Sequence, residues 1–163
     1  VPHDGKYLLY YNGKKYTESA WNEQVGLAFS DSFHNWKRYE GNPVLKVTPN
    51  HWDSHFSCGQ HVLYDSREKR WVMFYCGFDW KHAQEGVAIS SDMLSWEKYE
   101  RPIIEYGKSG EIDSIHAHKP CVIYHDGALW HFYCAVRAPL TDEEKEKFGK
   151  EYRCLTVARS KPF

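Results

Sequence analysis

No apolar run in this 163-residue sequence approaches the roughly 20 residues that a bilayer crossing needs. The N-terminus has neither the basic nor the apolar region of a signal peptide. Charge of one sign is also lacking. The sequence has 21 Lys and Arg against 22 Asp and Glu, a net charge of −1. No basic stripe suggests contact with nucleic acid or an anionic lipid surface, so both are excluded as expected partners. The five cysteines are odd in number and form no CxxC pair, so no structural zinc is expected. Cys76 and Cys134 fall inside apolar strand patterns, where a reduced thiol packs as a small hydrophobe. A soluble globular chain remains.

Aromatic residues are plentiful, at 17% of the chain, and they recur in order. Asp53-Ser54 stands before Tyr64, Trp71-Val72-Met73-Phe74-Tyr75-Cys76-Gly77, Gly86-Val87-Ala88-Ile89-Ser90 and Trp96-Glu97-Lys98-Tyr99-Glu100. About sixty residues later come Asp113-Ser114, Tyr124 and Trp130-His131-Phe132-Tyr133-Cys134-Ala135. About sixty residues earlier, Gly26-Leu27-Ala28-Phe29-Ser30 and Trp36-Lys37-Arg38-Tyr39-Glu40 match the same middle copy.

Each copy reads as short strands separated by polar turns. The middle copy has four: His61 to Tyr64, Trp71 to Gly77, Gly86 to Ser90 and Trp96 to Glu100. The first has three, Lys6 to Gly13, Val25 to Ser30 and Trp36 to Glu40, after an Asp4-Gly5 turn with almost no preceding arm. The third has Cys121 to Tyr124, Trp130 to Val136 and Cys154 to Ser160. It also carries an insertion, Pro139 to Lys150, where Thr141 and Glu144 form a capping-box pattern and predict a short surface helix.

Antiparallel meanders repeating at this period predict an all-β fold of β-propeller blades. The expected organisation is one partial propeller domain over 1–163, with blades at 1–45, 46–104 and 105–163 and the insertion at 139–150. Two incomplete blades leave apolar faces open, which predicts a homo-oligomer or association with the missing part of the propeller.

Strand direction alternates in a meander, so starts of inner strands and ends of second strands share one end of the sheets. Trp52, Asp53 and His55 precede the inner strand of the second copy. Glu111, Asp113, His116, His118 and Lys119 precede that of the third. Asp79, Trp80 and Arg137 follow the second strands. Carboxylates, imidazoles and cations are thus expected to converge at one mouth.

The segments GLAFSDSFHNWKRYEGNPVL, WDS, WVMFYCGFD, GVAISSD and GEIDSIHAHKPCVIYHDG together resemble the five-bladed β-propeller glycoside hydrolases, the group containing families 32, 43, 117 and 130. The resemblance covers nearly the whole chain. It implies an oligosaccharide substrate and acidic residues from successive blades as base or nucleophile, sugar-orienting acid and proton donor. In some members a histidine is the donor. Carried over by position, Asp53 matches the second-blade acid and Glu111 or Asp113 the third-blade donor. The first-blade acid has no counterpart, since its position would lie before Val1. The compartment is left open, with the cytoplasm or periplasm of a bacterium as the expectation.

Glycosidic cleavage needs one carboxyl to protonate the leaving oxygen and another to activate water or attack the anomeric carbon, so Asp53, Glu111 and Asp113 are the catalytic candidates. His55, Asp79, His116, His118, Lys119, Arg137, Trp52 and Trp80 are the substrate-binding candidates. No cofactor is expected. His116 and His118 on one strand face would suit a divalent cation near the axis, although hydrogen-bonded structural histidines are commoner. Each candidate has a plainer reading. The Asp-Ser pairs could be recurring corner caps, Glu111 a solvated loop carboxylate, Arg137 and Lys119 salt-bridge partners, and the tryptophans packing residues. The competing functional class is a catalytically silent propeller that binds sugar or protein through the same surface.

Overall fold

The computed structural model describes residues 1–16 and 21–161. Its strands fall into three successive antiparallel meanders. The first comprises β1 (Pro2–His3), β2 (Lys6–Tyr16), β3 (Trp21–Ser30) and β4 (Lys37–Arg38). The second comprises β5 (Phe56–Asp65), β6 (Arg70–Phe78), β7 (Ala83–Ser90) and β8 (Glu97–Lys98). The third comprises β9 (His116–His125), β10 (Ala128–Arg137) and β11 (Tyr152–Arg159), with helix α1 (Asp142–Phe148) between the last two. Strands pair in sequence order within each meander, one parallel bridge, Glu23 to Phe56, joins the first meander to the second, and the third forms a sheet of its own. This is the all-β blade architecture expected from the repeat. Among the described residues, no helix is long and apolar enough to cross a membrane.

Alternation along the strands explains the stacking of blades. One face of β6 presents Met73 and Tyr75 to Val25 and Leu45 of the first blade. The other face presents Phe74, which packs with Val87 against Val122 of the third blade. The second sheet is therefore apolar on both sides.

The strands differ from expectation in length. The inner strands begin five residues earlier than their apolar pattern suggests, at Phe56 and His116. Polar residues there still pair in register, Ser57 with Gly77 and His116 with Val136. Consequently His116, His118 and Lys119 lie within β9 rather than before it. The Trp-led fourth strands shrink to two residues each. A two-residue β1 supplies the first arm that seemed nearly absent, paired across the Asp4-Gly5 turn.

Both inner strands bulge at matching places, Gly59 and Lys119, each with positive φ (62° and 66°). The Gly59 N–H donates to Asn12 Oδ1 at 3.0 Å, so this bulge bonds to the preceding blade.

The insertion helix starts at Thr141, whose hydroxyl accepts from the Glu144 N–H at 3.1 Å. The reciprocal half of a capping box is displaced. The Glu144 carboxylate accepts from the Leu140 N–H at 2.8 Å and grips Arg137 instead.

Candidate active site

The ends of β6 and β10 and the starts of β5, β7 and β9 meet at one end of the blades. The His55 N–H donates to the Phe78 carbonyl at 2.8 Å. The Ala83 N–H donates to His116 Nδ1 at 3.0 Å, and His82 Nδ1 donates to the Ile115 carbonyl at 2.9 Å. The Ile115 N–H in turn donates to the Val136 carbonyl at 2.8 Å. The Ala83–His116 and His82–Ile115 bonds join the second blade to the third at this mouth.

The three candidate carboxylates occupy different environments. Asp53 has no exposed surface. Its oxygens accept from Ser57 Oγ at 3.1 Å, Tyr75 Oη at 3.3 Å and Thr48 Oγ1 at 3.4 Å, face His51 Nδ1 at 3.1 Å, and pair with Lys98 Nζ. Burial lowers the Lys98 pKa, while Asp53 opposes that shift. A carboxylate with this many partners and no open surface has no route to a substrate in this conformation.

Asp113 is half-buried and its Oδ2 accepts from Tyr133 Oη at 2.7 Å. Glu111 is exposed and its Oε2 accepts from the Lys108 N–H at 2.6 Å. A β-carbon on Gly107 would stand 2.3 Å from Asp113 Oδ1 and 2.6 Å from Glu111 Oε2. Those two oxygens are therefore within about 5 Å of each other, and residue 107 can only be glycine if the pair is to keep its place.

A band of rings lies at the same end of the blades. Trp21 lies 5.3 Å from His55, and Trp80 stacks on His55 at 3.5 Å. Phe78 is 5.9 Å from both His55 and His116, and His116 is 5.9 Å from His118. Burial holds His55 and His116 below the ordinary imidazole pKa. His118 is pushed down to about 4, by burial first and by the Lys119 charge second. His55 Nε2 and His118 Nε2 are both buried without a hydrogen-bond partner. The mouth thus carries neutral imidazoles. Among the described residues, no group of three or more His, Cys, Asp or Glu side chains is placed to hold a metal ion.

Several candidates sit elsewhere than expected. The Arg137 guanidinium is closed on Glu144 by two bonds of 2.8 Å and stacks on Tyr152 at 4.2 Å, so it anchors the insertion instead of reaching the acids. Glu144 is correspondingly lowered to about 2, chiefly by its bond to Arg137. Asp79 caps its own turn, accepting from the N–H groups of Lys81 and His82 at 2.9 Å. Trp52 turns inward, donating to the Glu100 carbonyl at 2.9 Å and stacking on Tyr75 at 5.6 Å. Trp80 stays outside, 61% exposed. Lys119 is exposed on its bulge.

Glu85 carried no signal in a motif, yet it is fully buried between the second and third blades, with neither carboxylate oxygen bonded. His131 Nε2 stands 3.9 Å away, also unbonded. Burial first, and Cys58 second, push the Glu85 carboxyl well above the usual range. Val25 occupies this place one repeat earlier, so a carboxylate at a valine position was the available clue.

Comparison with known proteins agrees with this architecture. The family model described as "Glycosyl hydrolases family 32 N-terminal domain" matches residues 1–145. A solved structure titled "Glycoside hydrolase" is 30% identical over 96% of this chain, with a TM-score of 0.73, and this chain covers 41% of it. A Bombyx mori family 32 β-fructofuranosidase is 21% identical, with a TM-score of 0.69, 96% of this chain and 32% of that one being covered. A family 117 glycoside hydrolase from Zobellia galactanivorans is 16% identical, with a TM-score of 0.78, the shares being 98% and 50%. The last two likenesses show the fold alone. No curated protein sequence matches. The chain spans half or less of the length of each of these structures. Three blades with this order of strands, and a family match over most of the chain, place this protein in the glycosyl hydrolase family 32 N-terminal domain family.

Proposed function

We propose that this chain forms part of a glycoside hydrolase that cleaves an oligosaccharide at the mouth end of its blades, with Glu111 and Asp113 as its carboxyl pair. The observation that carries this reading is the approach of both carboxylates over Gly107. Two carboxyls are the minimum that acid/base cleavage of a glycosidic bond requires, and oxygens no more than about 5 Å apart fall short of the roughly 6.5–9.5 Å of inverting enzymes, on the side of the roughly 5–5.5 Å of retaining ones. Neutral imidazoles at His116 and His118 suit hydrogen bonding to sugar hydroxyls. The outer face of the third sheet, where Leu155 is 84% and Ile123 46% exposed, suits packing against a further blade, from a second copy or from the rest of a longer polypeptide.

A second reading, a catalytically silent sugar- or protein-binding propeller, is favoured by one observation. Asp53 and Asp113 each accept from the tyrosine of a Tyr-Cys pair, Tyr75 and Tyr133, as recurring corner residues would.

Release of sugar from a panel of aryl glycosides and oligosaccharides separates the two. Glu111→Gln and Asp113→Asn are each expected to lower turnover by about 10²–10⁴-fold with little change in melting temperature. Sugar binding without turnover by the assembled propeller, or full turnover by both variants, would sink the hydrolase reading.

A further inference from the structure

Glu111 and Asp113 stand in the loop that leads from Ile104 into β9, so their mutual placement is only as fixed as that loop. Within it the Gly107 N–H donates to the Asp113 carbonyl at 3.1 Å, the Glu111 N–H to the Lys108 carbonyl at 3.0 Å and the Ser114 N–H to the Glu111 carbonyl at 3.3 Å. These bonds set the shape of the loop. Its position against the blades needs contacts from outside.

The second blade supplies them through a residue that belongs to no motif. His82 ends the turn between β6 and β7. Its imidazole stacks on Tyr106, beside Gly107 at the entry of the loop, with centroids 3.7 Å apart and planes within 8°. The same ring donates from Nδ1 to the carbonyl of Ile115, at the exit of the loop, at 2.9 Å. One side chain therefore grips both ends. His82 is itself held, because its N–H and that of Lys81 both donate to Asp79 Oδ1 at 2.9 Å. Ile115 is held from its other side, its N–H donating to the Val136 carbonyl at 2.8 Å.

The interface of the first and second blades makes the same two contacts differently. There the carbonyl two residues after Asp53, that of His55, accepts from the Glu23 N–H at 3.3 Å. Val47, two residues past the bridge at Leu45 as Tyr106 is past the bridge at Ile104, donates its N–H to Gln24 Oε1 at 3.1 Å. Two successive residues do at that corner what one imidazole does at the next. The first corner encloses a carboxylate with no exposed surface, whereas the second carries the open pair, Glu111 and Asp113.

Carboxyls that divide the work of glycosidic cleavage depend on their placement, and a displacement of about 1 Å can cost about 10²-fold in rate. We propose that His82 is the positioning residue of the candidate active site, fixing the loop of Glu111 and Asp113 to the second blade through the Ile115 carbonyl and the Tyr106 ring. This rests on the hydrolase reading above and makes it depend on a contact between blades. Asp79 acts one step further out, by fixing the turn that presents His82.

The test compares the assembled propeller with three variants: His82→Ala, His82→Phe, which keeps a flat ring for Tyr106 without the donor, and His82→Asn, which keeps an N–H donor without the ring. Hydrogen exchange of segment 105–115, followed by mass spectrometry, reads the loop directly. Values of kcat and KM on a cleaved glycoside read the chemistry. His82→Ala is expected to speed exchange in that segment about tenfold or more while β6 and β7 keep the parent's rate, and to lower kcat about 10²-fold with KM within a few-fold of the parent. His82→Phe and His82→Asn are each expected to recover part of both effects, since each keeps one contact, and they read the same effects where His82→Ala does not fold. Exchange at the parent's rate in segment 105–115 of the variants, or equal acceleration in all the blades, would overturn the positioning role and leave the hydrolase reading standing. Faster exchange confined to that segment, in a propeller that binds sugar without turning it over, would keep His82 as the anchor of the loop and sink the hydrolase reading alone.

Discussion

The Tyr133 hydroxyl donates to Asp113 at 2.7 Å, just as one repeat earlier the Tyr75 hydroxyl donates to Asp53 at 3.3 Å. In both blades the tyrosine comes from the second strand and the aspartate from the loop before the inner strand, so the bond ties the two together at the mouth. The surroundings differ. Asp53 has four further partners, whereas Tyr133 supplies the one side-chain bond described for Asp113. Replacing Tyr133 by Phe should therefore cost about 1.5 kcal/mol, and replacing Tyr75 by Phe about 0.5 kcal/mol, by urea denaturation. Equal losses would mean that the remaining partners of Asp53 contribute nothing.

Asp53→Asn tests the sealed corner directly. The change removes the charge that Lys98 meets in a site where Asp53 has no exposed surface. Breaking a buried pair typically costs 3–5 kcal/mol, and Lys98 retains 17% side-chain exposure, so a loss of roughly 3 kcal/mol is expected. A near-neutral variant would show that the cluster is not what holds this corner.

The blades were legible in the sequence because packing demands recur: Trp71 and Trp130, Tyr75 and Tyr133, and Gly26 and Gly86 fill equivalent places. The mouth was legible as a location, because strand alternation alone puts residues 53–55, 79–80 and 111–118 at one end. Which of those residues face a ligand was not legible. Trp52 and Trp80 read alike in the sequence, yet one packs against Tyr75 and the other stands in solvent. Arg137 was expected at the mouth acids because its actual partner, Glu144, belongs to an insertion without a counterpart in the other blades. Glu85 was hidden because its chemistry comes from burial between two blades, which no local pattern records.

Gly77 tests the inward placement of Trp52. A β-carbon there would stand 2.1 Å from Trp52 Cζ3 and 2.6 Å from Asp53 Cβ, neither of which is the end of a flexible chain. Gly77→Ala should cost about 2–3 kcal/mol through overpacking, measured by thermal or urea unfolding. A tolerated alanine would mean that Trp52 leaves its pocket easily, and a second tryptophan would then be available at the mouth.

Glu85→Gln gives a pH-dependent prediction. The folded chain holds the Glu85 proton well above the ordinary value of 4.5, because burial penalises the carboxylate. Above that value the unfolded chain releases the proton and the folded chain does not, so the stability of the parent falls as pH rises toward the folded pKa. Glutamine has no proton to release, and its amide can still face His131. The advantage of Glu85→Gln over the parent should therefore grow between pH 6 and 8, at up to about 1.4 kcal/mol per pH unit. Titration of the buried histidines, which lose stability as pH falls below 6.5, is common to both chains and largely cancels in the difference. Urea midpoints for the two chains across this range check it: parallel pH profiles would show that Glu85 is ionised in the folded state and that the third blade does not seal it from water.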